Sequence, residues 1–302
     1  MNDTCQIQHL SCEKLMHRQI LNQVSIHDCF LLVAVLLFSG CSNLLYYPDT
    51  RHRFFDPETA GFKPENVFFS DIADRQLHGW WFSAKKTPAK ATIIFFHGNA
   101  ENLTSHFLQL AWISHEHYNI FIFDYPGYGW SEGNPSPQSC VESGHAAIDW
   151  VSNHKVKNGP IIIYGQSLGG NIALRTAIDK KDEVDLRLVV ADSTFDSFQK
   201  IARAKLSHHW LTWPMQPLSH LLFSDRWAPE HLASLSPVPV LVIHGQQDAT
   251  VEPIFGDRIF EKLAEPKTLW KIPKGRHTDV FWGHDHRYRS KFLSFIENLN
   301  QY

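Results

Sequence analysis

From about residue 62 the chain alternates short, predominantly apolar runs with amphipathic stretches of helical length, and this alternation restricts the fold more than any other feature. The runs fall at 91–96, 120–123, 161–164, 188–191, 240–243 and 268–272. Strands this apolar are covered on both faces, as in a parallel sheet packed between helices. Between them, residues 137–154 place Val141, Ala147, Ile148 and Val151 on one helical face. Residues 67–70, which alternate poorly, and 77–82 read as a hairpin pair at the sheet edge. The expected class is therefore α/β, with a mostly parallel central sheet and helices on both faces. The interval 195–235 breaks the rhythm; it carries Trp210, Trp213 and Trp227 and is interrupted by Pro214 and Pro217. A structureless loop of that length is improbable in a compact domain, so short helices forming a lid are expected there.

Composition removes several alternatives. The chain is 43% hydrophobic and 20% charged, which is ordinary for a globular protein and unlike a disordered one. Its net charge of −3 argues against a nucleic-acid partner, since such proteins concentrate positive charge against phosphate. No apolar run reaches the roughly 18 residues of a membrane-spanning helix. Cys5, Cys12, Cys29 and Cys41 crowd the amino terminus, leaving Cys140 alone in the body, where it can form no internal disulfide and reads as a small buried residue. No C-x-x-C pair offers a zinc site, and neither His284-Asp-His286 nor His115 with His117 makes a convincing metal set.

Two segments match G-x-S-x-G. Gly165-Gln-Ser-Leu-Gly169 follows the run at 161–164 and opens a helical stretch, the strand-to-helix context in which a serine is presented on a tight turn against a helix N-terminus. Gly129-Trp-Ser-Glu-Gly133 instead runs into Asn134-Pro-Ser-Pro137, where no helix opens. Ser167 is the expected nucleophile and Ser131 a loop residue. A serine needs a base, and the base needs an orienting acid. Asp248 follows the run at 240–243 and His277 follows the run at 268–272, so both fall in loops that converge at the carboxyl edge of a parallel sheet. Asp192 is a rival acid at the end of an earlier strand, and His284 and His286 are rival histidines beyond the strand-end loop. The backbone N–H of Leu168, next to the nucleophile, and that of Asn99, in the turn His97-Gly-Asn-Ala100, are the expected oxyanion donors.

These pieces carry a resemblance. Leu77-His-Gly-Trp80, Phe96-His-Gly-Asn99, Asp124-Tyr-Pro-Gly-Tyr-Gly129, Gly165-Gln-Ser-Leu-Gly-Gly170, His244-Gly with Asp248, and Gly275-Arg-His277 occur in the order found in the α/β-hydrolase superfamily. The chain is most similar to its membrane-anchored branch of serine-peptidase-like hydrolases and protein depalmitoylases. The resemblance implies the α/β-hydrolase fold and hydrolysis of an ester, thioester or amide through an acyl-enzyme, without a metal or organic cofactor. The Trp, Leu and Phe content of the lid points to an apolar acyl group, or, for its aromatic residues, to packing of the lid onto the domain. A non-catalytic binding protein or an acyltransferase on the same fold is the alternative.

The amino terminus reads as an address. Residues 30–38 are nine unbroken apolar residues followed by Ser39-Gly40-Cys41. The length suits a signal-peptide core, and the junction resembles the lipobox of bacterial lipoproteins. The expected organisation is a lipoprotein-type signal at 1–40, lipidation at Cys41, a tether at 41–61, and a hydrolase domain at 62–302 with its lid at about 195–235; an ordinary cleaved signal or an uncleaved amphipathic tail is the alternative for the first segment. Ser42 after the cysteine resembles lipoproteins passed to the outer membrane, so the expected location is the periplasmic side of a bacterial outer membrane, with the lipid membrane as partner.

Overall fold

The computed structural model describes residues 45–51, 54–156, 159–208, 210–282 and 287–299. The expected signal peptide, Cys41, His284 and His286 lie outside the described residues. Among the described residues no helix is long and apolar enough to cross a membrane.

Eight strands form one sheet: β1 (Glu65–Ser70), β2 (Gln76–Phe82), β3 (Ala91–Phe96), β4 (Tyr118–Phe123), β5 (Ile161–Gln166), β6 (Leu186–Asp192), β7 (Val240–Gly245) and β8 (Lys267–Ile272). Their spatial order is β1-β2-β4-β3-β5-β6-β7-β8. β2 pairs antiparallel with both β1 and β4, while the six strands from β4 to β8 are mutually parallel. The six-strand parallel part is what the continuous apolar runs demand: β3, β5 and β7 are buried at every position. Edge strand β1 buries only Val67 and Phe69, which explains its weak pattern in the sequence.

Alternation along the strands sends residues to two cores. Ile93, Phe95, Ile162, Tyr164, Leu241 and Ile243 join Leu103, Phe107, Leu110 and Ile113 from the short helices after β3, and Phe292 and Ile296 from the terminal helix. On the opposite face, Phe96 lies against Gly144 of α1 (Pro137–Trp150), where an added Cβ would come within 2.7 Å of the ring. Helix α1 starts where it does because Ser136 and Ser139 form a reciprocal capping box and Pro137 occupies the first turn. It packs beside α2 (Leu168–Lys180), which follows β5.

The interval expected to be a lid holds α3 (Phe198–Ser207), a 3-10 segment Trp213–Leu218, a single turn Ser219–Leu222 and a 3-10 segment Leu232–Leu235. Ser197 caps α3 by accepting from the Lys200 N–H, and its hydroxyl donates to Asp225 at 2.6 Å. Asp225 also accepts from the Gln199 N–H, so one carboxylate closes the base of the excursion. The helix α4 (Pro253–Lys262) follows β7, and α5 (Arg287–Glu297) packs Phe292 and Ile296 against the sheet.

Candidate active site

The parallel strands deliver their carboxyl ends to one edge, and the loops after β3, β5, β7 and β8 meet there. Ser167 stands between β5 and α2 at φ 54° and ψ −121°, a backbone geometry that exposes its hydroxyl at the top of a sharp turn. The turn can be this tight because glycines flank it. A Cβ on Gly169 would come within 2.2 Å of the Phe96 carbonyl and 2.3 Å of the His97 carbonyl. The loop after β3 therefore lies directly on the first turn of α2, which brings Asn99 beside Leu168.

The Ser167 hydroxyl is 3.0 Å from Nε2 of His277, and Nδ1 of His277 is 2.7 Å from Oδ2 of Asp248. The Asp248 side chain is fully buried. Burial opposes its ionisation, but hydrogen bonds from His244 and His277, the electrostatic influence of the adjacent imidazole and the Val251 N–H together hold its carboxyl well below the usual range. Its Oδ1 accepts from the N–H groups of Thr250 and Val251 at 2.8 and 2.9 Å, which fixes the carboxylate plane.

The rival acid sits elsewhere. Asp192 Oδ2 accepts from the Tyr164 hydroxyl at 2.7 Å, and Oδ1 accepts from the Ser193 hydroxyl at 2.9 Å. Burial raises its carboxyl from the ordinary value. The Ser193 hydroxyl in turn accepts from the Thr278 N–H at 3.2 Å, so Asp192 supports the loop that carries His277 without touching the imidazole through a hydrogen bond. The second G-x-S-x-G serine is structural: the buried Ser131 donates to the Asp124 carbonyl at 2.8 Å and accepts from the His78 N–H at 2.9 Å.

Ser167, Leu168 and Asn99 share the floor of an apolar cavity of about 530 Å³. Among the described residues no protein acceptor takes the N–H of Leu168 or of Asn99. Leu168 is the first residue of α2, whose leading N–H groups have no partner within the helix and favour negative charge. The turn carrying Asn99 is braced by His97, whose Nδ1 donates to the Gly98 carbonyl at 2.7 Å while Nε2 lies 3.4 Å from the buried Asp124 carboxylate. His106 stacks on His97 at 5.0 Å, and burial, with the neighbouring His97, lowers it to about 4.

The Asn99 side chain does something the sequence did not announce. Its Nδ2 donates to the Leu45 carbonyl at 2.7 Å, and its Oδ1 accepts from the Tyr47 N–H at 2.9 Å and the Tyr128 hydroxyl at 2.8 Å. Asn102 Nδ2 donates to the carbonyls of Asp49 and Arg51 at 3.0 and 2.7 Å. Two asparagines thus fasten the segment 45–51 over the loop after β3, and Leu45 and Tyr47 line the rim of the cavity. The only sequence signal was a polar Asn-x-x-Asn spacing, which names no partner.

The lid supplies much of the remaining wall, through Leu206, Met215, Leu218, Leu222 and Phe223. Its tryptophans do not. Trp210 and Trp213 are exposed, and Trp227 lies under the Arg175 guanidinium at 5.4 Å. Of the residue types expected to make the lid apolar toward the site, leucine and phenylalanine line the cavity, joined by Met215, and the tryptophans do not.

Comparison with known proteins bears on the family and the fold. Residues 87–234 match the Hydrolase_4 family, described as serine aminopeptidase, S33. The chain is 32% identical to YfhR of Salmonella typhi over 295 residues, covering 93% of this chain and 96% of that one. It is 28% identical to the α/β hydrolase domain-containing protein WAV2 of Arabidopsis thaliana, covering 77% and 78% of the two chains. The fold is similar to the Pyrococcus furiosus esterase Pf2001 with a TM-score of 0.66 and 20% identity, over 84% of this chain and 97% of that one. The chain belongs to the α/β-hydrolase superfamily.

Proposed function

We propose that the protein is a serine hydrolase that cleaves an ester, thioester or amide of an apolar acyl group through an acyl-enzyme. The observation that carries this reading is the chain of contacts from Ser167 Oγ to His277 at 3.0 Å and on to Asp248 at 2.7 Å, with Ser167 on the floor of an apolar cavity. His277 Nε2 takes the hydroxyl proton as Ser167 Oγ attacks the carbonyl carbon. The ionised Asp248 keeps the proton of Nδ1 in place and stabilises the imidazolium that forms. The N–H groups of Asn99 and Leu168 receive the developing oxyanion; loss of one such donor costs roughly 2.7–4 kcal/mol in enzymes of this kind. His277 returns its proton to the leaving group, and water then repeats the sequence to release the acid.

The cavity takes the acyl chain. A volume of about 530 Å³ is within the range of small-molecule sites, and its lid side is mostly apolar. Labelling with a fluorophosphonate tests the reading: the adduct should map to Ser167, and an acyl ester series should favour medium or long chains over acetyl. An unlabelled protein, or an adduct elsewhere, refutes it.

Acylation of Cys41, with the domain tethered at a bacterial outer membrane, belongs to the same proposal and rests on the Leu37-Phe-Ser-Gly-Cys41 sequence. Mass spectrometry of the mature amino terminus tests it, and an unmodified Cys41 overturns the anchor without affecting the triad.

A further inference from the structure

The outer surface of the lid has a property that hydrolysis at Ser167 does not use. Trp210 is 77% exposed, Leu211 60%, Trp213 62% and Leu221 70%, and none of the four lines the cavity. Exposed apolar groups of this size, close together in sequence, mark an interaction surface rather than a solvated one. Indole rings suit a boundary with one apolar and one wet side. Met215 and Leu218 are both part-exposed and cavity-lining, so the outer face runs into the mouth of the site.

Charge identifies the partner. Between Asp196 and Asp225 the chain contains Lys200, Arg203 and Lys205 and no carboxylate, in a protein whose net charge is −3. Acids from neighbouring elements answer part of this: Asp196 pairs with Lys200 at 3.3 Å and also with Lys262, and Glu252 pairs with His208 at 3.0 Å. The exposed Arg203 instead meets the neutral side-chain oxygen of Gln216, and Lys205, which stands at the cavity wall beside Thr250, meets the Thr250 carbonyl. Cations beside exposed indole and leucine complement a surface with anionic headgroups over an apolar interior.

We propose that the lid docks onto an anionic phospholipid bilayer through Trp210, Leu211, Trp213 and Leu221, with Arg203 and Lys205 at headgroup level, so that the cavity mouth opens onto the lipid phase. The docking stands on the lid alone and holds whether or not Cys41 is acylated.

The experiment uses the full chain and vesicles of phosphatidylcholine with phosphatidylglycerol at about 3:1, carrying bromine on the acyl chains near the headgroups. Tryptophan quenching is the readout, and because residues 1–44 contain no tryptophan, insertion of the amino terminus is silent. The wild type should be quenched, at least threefold less on pure phosphatidylcholine. Trp210→Phe with Trp213→Phe should lose more than half of the quenching, and Arg203→Gln should raise the vesicle concentration required several-fold. No quenching, equal quenching on neutral vesicles, or quenching that survives the double substitution overturns the proposal. A concentration-dependent dimer abolished by the double substitution, without quenching, would assign the face to a second copy and also overturn it. No turnover is needed: Ser167→Ala protein should be quenched like the wild type, so failure of the hydrolase reading and failure of the docking are separately visible.

Discussion

Replacing Asp248 with asparagine exchanges one carboxylate oxygen for an NH₂ group and leaves the shape nearly unchanged. The hydrogen bonds around the site decide which way the amide points. Thr250 and Val251 direct two N–H groups at Oδ1 from 2.8 and 2.9 Å, so the amide oxygen stays there and Nδ2 faces His277 Nδ1, now about where Oδ2 was, at 2.7 Å. Two donors cannot face each other, so His277 must offer a lone pair at Nδ1 and carry its proton on Nε2. That proton then points at Ser167 Oγ, 3.0 Å away, and the imidazole can no longer accept the hydroxyl proton. The loss should be about three to four orders of magnitude in kcat, equivalent to roughly 4–5.5 kcal/mol at 1.36 kcal/mol per decade, with KM little changed. The assay is steady-state hydrolysis of a chromogenic ester, with circular dichroism to show an intact fold, alongside Asp192→Asn. A loss under about tenfold for Asp248→Asn, with Asp192→Asn the crippling change, would refute the reasoning and move the acid to the end of β6.

Ser167→Ala should abolish fluorophosphonate labelling, whereas Ser131→Ala should keep it and lower Tm by several degrees, because the buried His78 N–H loses its acceptor at a cost of about 1–3 kcal/mol. The depressed carboxyl of Asp248 makes a stability contribution that is full above the ordinary carboxylate pKa and disappears as pH falls through its lower folded value. The Tm gap between wild type and Asp248→Asn should therefore be widest at neutral pH and close toward strong acid; a constant gap would contradict the depression. Asn99→Ala should release the segment 45–51, seen as limited tryptic cleavage after the exposed Arg51 at least tenfold faster than in the wild type; unchanged cleavage would show that Asn102 suffices.

The parallel sheet was legible because burial on both faces leaves uninterrupted apolar runs, and β3, β5 and β7 are buried along their whole lengths. The elbow was legible because Ser167 has to be followed at once by a helix, and Ser131, with the same flanking glycines, is followed by Asn134 and Pro135. His277 and Asp248 could be placed by their strands, since a loop after a parallel strand has one edge to go to. The lid was legible as an interruption but not as a set of inner and outer faces. Its 3-10 segment Trp213–Leu218 has no long period to read, and tertiary packing alone decides that Met215 and Leu218 line the cavity while Trp213 faces out. The clamp on 45–51 was illegible for a different reason: hydrogen bonds that span more than fifty residues leave no spacing in the sequence.

Asn99 joins two parts of the site that a motif reading keeps apart. Its backbone N–H lies at the cavity floor beside Leu168, while its side chain fixes the rim through Leu45 and Tyr47. The third partner, the Tyr128 hydroxyl, is a secure donor because burial raises its pKa well above the ordinary phenol value. Through Tyr128 the rim is tied to the loop after β4, where the buried Ser131 and Asp124 hold the backbone. The loop after β3 and the rim thus share one side chain as a common support, and neither can shift far without straining four hydrogen bonds, including the one from the Ala100 N–H. A change at Asn99 will therefore disturb access and chemistry together. Proteolysis of 45–51 reads the rim alone, and kcat for a short soluble ester, whose acyl group barely reaches the rim, reads the oxyanion loop. Comparing the two separates the contributions that a single rate constant would merge.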